Sequence, residues 1–348
     1  MKVYHYDATQ KPFELHGLVP DEGYTRLPRS LLPQLSPQVA NLALKTSGAR
    51  IRFSTSATHM TLCMHLADTA IKTHMTPLNM AGAEIWQGEG SSMRRAAVAR
   101  PTASGSVLYE KLDGYALEQE VRCEAALSGR RETVTIYLPI FEGVEKVEIG
   151  LPEGEMPYPP APYAVTLPIV FYGSSITQGA CAGRPSLTYP AQVCRALDAD
   201  FVNLGFAGNA LGEQELARYI ASLKMTAFVL DYDHNAPTPE HLQKTHQPFW
   251  KTIRKAQPQL PILIVSRPRN SSTDQTIRAY RRVIEQTYQA ALASGDRLTA
   301  FLDGEAFFPQ GREDDCLQDF IHPNDYGFHL MSERVLQALR PLLALRKE

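Results

Sequence analysis

Residues 168–179 read PIVFYGSSITQG: an apolar run, a glycine, two adjacent serines, and a second glycine four residues after them. A run as short as Ile169–Tyr172 suits a strand buried on both faces, and the polar residues behind it suit a turn. The same rhythm recurs downstream in DFVNLG, MTAFVLDY, LPILIVS and RLTAFLDG. Helical patterns separate these runs: SLTYPAQVCRALD, LGEQELARYIASL, TPEHLQKTHQPFWKTIRKAQ, STDQTIRAYRRVIEQTYQAALASG and YGFHLMSERVLQALRPLLAL. Strand and helix alternating this way predict a three-layer α/β/α domain over 167–348, flavodoxin-like, with a mostly parallel sheet. Ligands in such sheets bind beyond the carboxyl ends of the strands. Chemistry is therefore expected there.

Upstream the rhythm is different. ARIRFSTSATHMTLCMHL puts Ile51 and Phe53, then Met60, Leu62 and Met64, at every second position; ETVTIYLPIF does the same with Val134, Ile136 and Leu138. VEKVEIGL follows less strictly with Val144, Val147 and Ile149. Short strands between Gly, Ser and Asp clusters predict an all-β sandwich, jelly-roll-like, over 1–152. Pro152, Pro157, Pro159, Pro160, Pro162 and Pro168 crowd the join between the halves. Proline fixes φ and lacks an amide donor, so 153–166 reads as an extended linker.

A formal charge of −2 over 348 residues gives no electrostatic case for a nucleic-acid or anionic-membrane partner. Cys63, Cys123, Cys181, Cys194 and Cys316 show no C-x-x-C spacing, and their odd number argues against a complete disulfide framework. The first residues lack an apolar signal-peptide core, and no run is long enough to span a bilayer. The expectation is a reduced, cytoplasmic protein without membrane attachment, whose edge strands permit self-association into a homo-oligomer.

Four blocks carry the polar residues at strand ends: Gly173-Ser174-Ser175, NLGFAGNA (203–210), DYDHNA (231–236) and DFIHPND (319–325). A serine hydroxyl becomes a nucleophile only beside a base, with a group orienting that base and donors for an oxyanion. His322 can be the base, and Asp319, three residues earlier, can orient it. By themselves the residues leave other readings open. Ser175 could cap a helix, Gly208 could simply serve a turn, and Asp319 could be a cap. Asp231, Asp233 and His234 hold metal-ligand types, but no second ligand group accompanies them, so local hydrogen bonding is favoured and no metal is assigned. Arg184 could bind a substrate oxygen or pair with an acid. Trp86 and Trp250 fit the core better than a sugar platform, and Cys181 fits a small packed residue.

The four blocks in this order resemble the SGNH (GDSL-type) hydrolases, with no G-x-S-x-G elbow in the chain. That family's pattern has Gly-Asp-Ser, so the resemblance implies Ser175 as nucleophile, with Ser174 where Asp is usual. It implies Asp319 and His322 as the other triad members, and Ser175, Gly208 and Asn235 as oxyanion-hole donors. DYDHNA departs from the family in placing Asp233 and His234 before the asparagine, without its usual glycine. The β-rich N-terminal half, with TIYLPIFEGVEKVEIGL and QGACAGRPSLTYP, is similar to a subgroup related to carbohydrate acetylesterases. The resemblance implies a serine esterase that needs no cofactor and acts on a small-molecule or oligosaccharide ester, acetyl in the first instance. A lysophospholipase or thioesterase of the same fold, or a non-catalytic glycan-binding protein, are the alternatives.

Overall fold

The computed structural model describes residues 2–69, 72, 74–104, 116–268 and 274–345. Its N-terminal half holds two main antiparallel sheets. One runs in the order Val3–Asp7, Val144–Pro152, His59–Leu66, Glu120–Ala126; the other runs Glu14–His16, Arg50–Thr55, Glu132–Tyr137, Ala83–Gln87, Arg94–Ala99. Every pairing in both is antiparallel. The period-two residues Ile51, Phe53, Met60, Leu62, Met64, Val134 and Ile136 are buried in one core shared by the two sheets. The outer face of Arg50–Thr55 is buried too, which alternation alone does not foretell. The proline-rich segment covers it: Ser54 and Tyr158 exchange backbone hydrogen bonds of 2.8 Å, and the Arg52 guanidinium stacks 3.7 Å from the Tyr163 ring centroid. The segment is extended, as its prolines require, but docked rather than free.

The second half is built on five parallel strands in the order Ala199–Gly205, Val165–Gly173, Ala227–Asp231, Ile262–Val265, Thr299–Leu302. Side chains alternate across this sheet. Ile169, Phe171, Val229 and Leu263 pack with Tyr189 and Val193 of the helix Tyr189–Leu197 and with Phe328 and Met331 of the helix Asp325–Leu345. Val170, Tyr172, Phe228, Leu230 and Ile264 pack on the other face with the helices Gln214–Ser222, Pro239–Ala256 and Gln275–Ala293. Burial on both faces explains why these strands read as continuous apolar runs.

The strand Val165–Gly173 is first in sequence, yet its successors lie on opposite sides of it. Such a switch point splays the following loops apart and opens a crevice at the strand's carboxyl end. Among the described residues, no helix is long and apolar enough to cross a membrane.

Candidate active site

Gly173 ends the central strand in a space too small for any side chain. A Cβ there would lie 2.0 Å from Thr177 Oγ1 and 2.3 Å from the Asp231 carbonyl oxygen. The Ser174 amide donates to that same carbonyl at 3.1 Å, and the Ser174 hydroxyl accepts from the Ile176 amide at 3.2 Å. Ser174 is thus the cap of the short helix Ser175–Gln178. Taking the cap with Ser174 leaves Ser175 at the first helical position, half-buried, its hydroxyl free for another partner.

That partner is His322. Ser175 Oγ lies 2.9 Å from His322 Nε2, and His322 Nδ1 lies 2.8 Å from Asp319 Oδ2. A carboxylate only accepts, so Nδ1 carries the proton and Nε2 presents its lone pair to the serine hydroxyl. Asp319 Oδ1 meanwhile accepts from the Ile321 and His322 amides, both at 2.7 Å. Burial opposes the charge on Asp319, but the bonds from the His322 amide and ring and from the Ile321 amide outweigh it. The carboxyl is held below its ordinary value. One aspartate therefore folds its own tight turn and orients the imidazole.

Gly208 has a φ of 72°, in the left-handed region that favours glycine, which turns the loop toward the crevice. The neighbouring Ala207 amide donates to Gln178 Oε1 at 2.9 Å, fixing this loop to the helix that bears Ser175. Asn235 Nδ2 donates one hydrogen to the Phe206 carbonyl at 2.9 Å, and a carboxamide has a second to offer. Ser175, Gly208, Asn235 and His322 all line one pocket of about 320 Å³. The four sequence blocks meet here.

A third of the pocket lining comes from residues that the sequence does not single out. Lys72, His74, Met75 and Phe141 also line it, all from the N-terminal half. Lys72 Nζ sits 4.7 Å from the Phe141 ring centroid. Further N-terminal side chains hold the turn behind the serine: Ser47 Oγ donates to the Gln178 carbonyl at 2.6 Å, and Asn79 Nδ2 to the Gly179 carbonyl at 3.0 Å. Nothing in their local sequence distinguishes these residues. Only the docking of the two halves gives them a place.

Arg184 lies elsewhere. Its Nε donates to Glu84 Oε1 at 3.0 Å, and the Ser186 amide donates to Glu84 Oε2 at 2.7 Å. Glu84 is fully buried in the β-rich half, so this pair joins the two halves and leaves Arg184 outside the lining of the Ser175 pocket. Arg184 is thus engaged as the partner of an acid, one of the two readings its sequence leaves open, since a buried carboxylate needs a counter-charge. Trp250 is buried and donates to Thr299 Oγ1 at 3.1 Å, while Trp86 stands beneath the Arg195 guanidinium; both lie away from the pocket. Asp231 accepts from Tyr189 OH at 2.9 Å and from Thr177 Oγ1 at 3.1 Å, and Asp233 accepts from Arg267 Nε at 3.1 Å. Their local hydrogen bonding is as the sequence favours. Cys181 is buried beside the site, as a small packed residue there would be, and its Sγ lies within 4.8 Å of a ring nitrogen of His74 and one of His322.

Residues 166–340 match the GDSL-like lipase/acylhydrolase family, and residues 3–156 match the N-terminus of SGNH-type esterases. No curated protein matches the chain. A Bacteroides ovatus structure described as a GDSL-like lipase superposes with a TM-score of 0.85 at 22% identity, over 99% of this chain and 98% of that one. A salicylyl-acyltransferase from a tetracycline biosynthetic pathway gives 0.80 at 19%, over 99% and 98%. An acetyl xylan esterase from the rumen bacterium Butyrivibrio proteoclasticus gives 0.58 at 12%, over 98% and 99%. At these identities the likeness is one of fold, and it extends over both halves. By its matched sequence and its two-part architecture, the chain belongs to the GDSL-like lipase/acylhydrolase family.

Proposed function

We propose that the protein is a serine esterase that removes short acyl groups, acetyl above all, from carbohydrate. The observation that carries this reading is the hydrogen-bonded chain from Ser175 Oγ to His322 at 2.9 Å and on to Asp319 at 2.8 Å. Ser175 attacks the ester carbonyl as its proton passes to His322 Nε2. Asp319 stabilises the imidazolium. The Ser175 and Gly208 amides and the second Asn235 Nδ2 hydrogen receive the oxyanion. His322 then protonates the departing alcohol, and water repeats the sequence on the acyl-enzyme. The reaction balances without a cofactor.

Pocket size supports the short acyl group. A space of about 320 Å³ that must hold both sides of the scissile bond is at the small end for ligand sites. Met75, Phe141, Ala180, Ala207 and Ile321 supply its apolar walls. The carbohydrate half of the reading rests on the acetyl xylan esterase among the structures of like fold.

The experiment is hydrolysis of 4-nitrophenyl esters of two to eight carbons and of acetylated oligosaccharides, by wild type and Ser175→Ala. Rates falling steeply beyond about four carbons, with acetate release from the sugars, are expected. A preference for long chains turns the reading toward a lysophospholipase or thioesterase. Full activity in Ser175→Ala overturns the mechanism.

A further inference from the structure

His74, Cys181 and His322 each bring one metal-ligating atom within 4.8 Å of the other two. They come from three separate places. His74 precedes the helix Pro77–Ala81, Cys181 follows the helix Ser175–Gln178, and His322 precedes the last helix. The His74 and His322 rings stack with centroids 5.8 Å apart at 25°, and Cys181 Sγ reaches the His74 carbonyl at 3.4 Å. Cys181 has a φ of 68°, a conformation uncommon outside glycine, asparagine and aspartate. Residues held in such regions cluster at functional sites.

We propose that His74, Cys181 and His322 form a binding site for a divalent cation of the zinc class, and that the cation switches the esterase off by taking the His322 imidazole out of catalysis. The proposal rests on the reading of His322 as the base.

Two imidazoles and a thiol are the donor set that zinc-class cations select over calcium and magnesium. His322 is already arranged as a ligand. Its Nδ1 proton is held by Asp319, which fixes the tautomer and the ring orientation and leaves the Nε2 lone pair to a partner, as carboxylates do behind zinc-bound histidines. The feature that makes His322 a general base makes it a metal ligand as well. Cys181 is buried and His322 is pinned, so adjustment falls to His74, which is exposed. Zinc–nitrogen and zinc–sulfur bonds place tetrahedral donors about 3.5 Å apart. The three donor atoms already lie within 4.8 Å of one another, so the remaining approach falls to rotation of the His74 side chain. Water takes the fourth position. On binding, the Cys181 S–H bond breaks, its proton leaves to solvent, and a sulfur–metal bond forms. The Ser175 hydroxyl loses its acceptor, and nothing is oxidised or reduced.

The test titrates ZnCl2 into the enzyme hydrolysing 4-nitrophenyl acetate, and CoCl2 into the same protein followed by absorption. Wild type is expected to lose at least tenfold in rate at one zinc per chain, and to recover on adding EDTA. Cys181→Ala keeps the basal rate and needs at least about tenfold more zinc. Cobalt gives a thiolate charge-transfer band in wild type and in Ser175→Ala, and none in Cys181→Ala. His74→Gln, which leaves the buried thiol in place, weakens cobalt binding by a similar factor and guards against misfolding of the cysteine variant. Equal zinc sensitivity in wild type and Cys181→Ala overturns the proposal. An absent cobalt band in an active enzyme overturns it while leaving the esterase reading intact. A cobalt band in a protein that hydrolyses no ester supports the site and removes the esterase reading instead.

Discussion

The buried guanidinium of Arg26 lies over the ring of Phe206, its Cζ 5.0 Å from the ring centroid. Its nitrogens donate to the carbonyls of Lys45 and Asn203 at 2.7 Å, Gly205 at 2.9 Å and Leu42 at 2.6 Å. Burial pulls its pKa down to about 9. Two of those carbonyls terminate the strand that feeds the Gly208 turn. Arg26→Met therefore strands several buried acceptors, each worth roughly 1–3 kcal/mol. We expect a loss of about 3–5 kcal/mol, measured by denaturant unfolding, together with a lower kcat as the turn loosens. Unchanged stability would show that water replaces the guanidinium.

Asn235 offers a cleaner test of the oxyanion site. Its first Nδ2 hydrogen is spent on the Phe206 carbonyl, and only the second faces the pocket. Asn235→Ala should lower kcat about 10²–10³-fold with little change in KM, since the bond strengthens only as the carbonyl oxygen gains charge. A raised KM with unchanged kcat would instead place Asn235 in ground-state binding.

Asp319→Asn should lower kcat by roughly 10²–10⁴, because an amide facing Nδ1 selects the wrong histidine tautomer. Asp319→Ala should do more. It also removes the acceptor of the Ile321 and His322 amides, so the turn itself loses its tie. Steady-state kinetics separate the two, and equal losses would mean that the carboxylate acts only electrostatically.

Much of this site was legible in the sequence because the chemistry is local. Asp319 and His322 share one turn, and Ser175 follows an apolar run that is buried on both faces. Two-sided burial also made the parallel sheet readable, since Ile169, Val170, Phe171 and Tyr172 are all apolar. What was not legible depends on the docking of the halves. Lys72, His74 and Phe141 reach the pocket only because the β-rich half packs on the sheet. The same docking buries the outer face of Arg50–Thr55, and it binds Arg184 to Glu84. The two serines differ in what the sequence does not show: the Ser174 hydroxyl turns back to the Ile176 amide, and the Ser175 hydroxyl faces His322.

Asp231 gives a pH dependence. Its carboxyl is pushed up to about 8, first by burial and then by Asp233, against the bonds from Tyr189 and Thr177. A carboxyl so raised stays protonated in the fold while the unfolded chain ionises from about pH 4. The stability it confers is full below pH 4 and is lost progressively as pH rises through 8. Asp231→Asn has no such titration. Its unfolding free energy relative to wild type should therefore improve by a few kcal/mol between pH 5 and pH 8.5, measured in urea at both values. A difference that stays constant with pH would mean that Asp231 is ionised throughout.

Arg184 is the residue on which the two chemistries of an arginine can be told apart. Its Nε bond to the fully buried Glu84 lies in the join between the halves, one residue past the turn that Asp325 holds through the Gly183 amide at 2.6 Å. Removing the guanidinium strands a carboxylate that retains, among the described residues, the Ser186 amide and the more distant Arg95. Arg184→Met should therefore cost about 3–5 kcal/mol of stability and leave KM for a small ester unchanged. Glu84→Gln in the same background should restore part of the loss, since an amide tolerates burial better than an unpaired charge. A variant of full stability and raised KM would return Arg184 to the substrate.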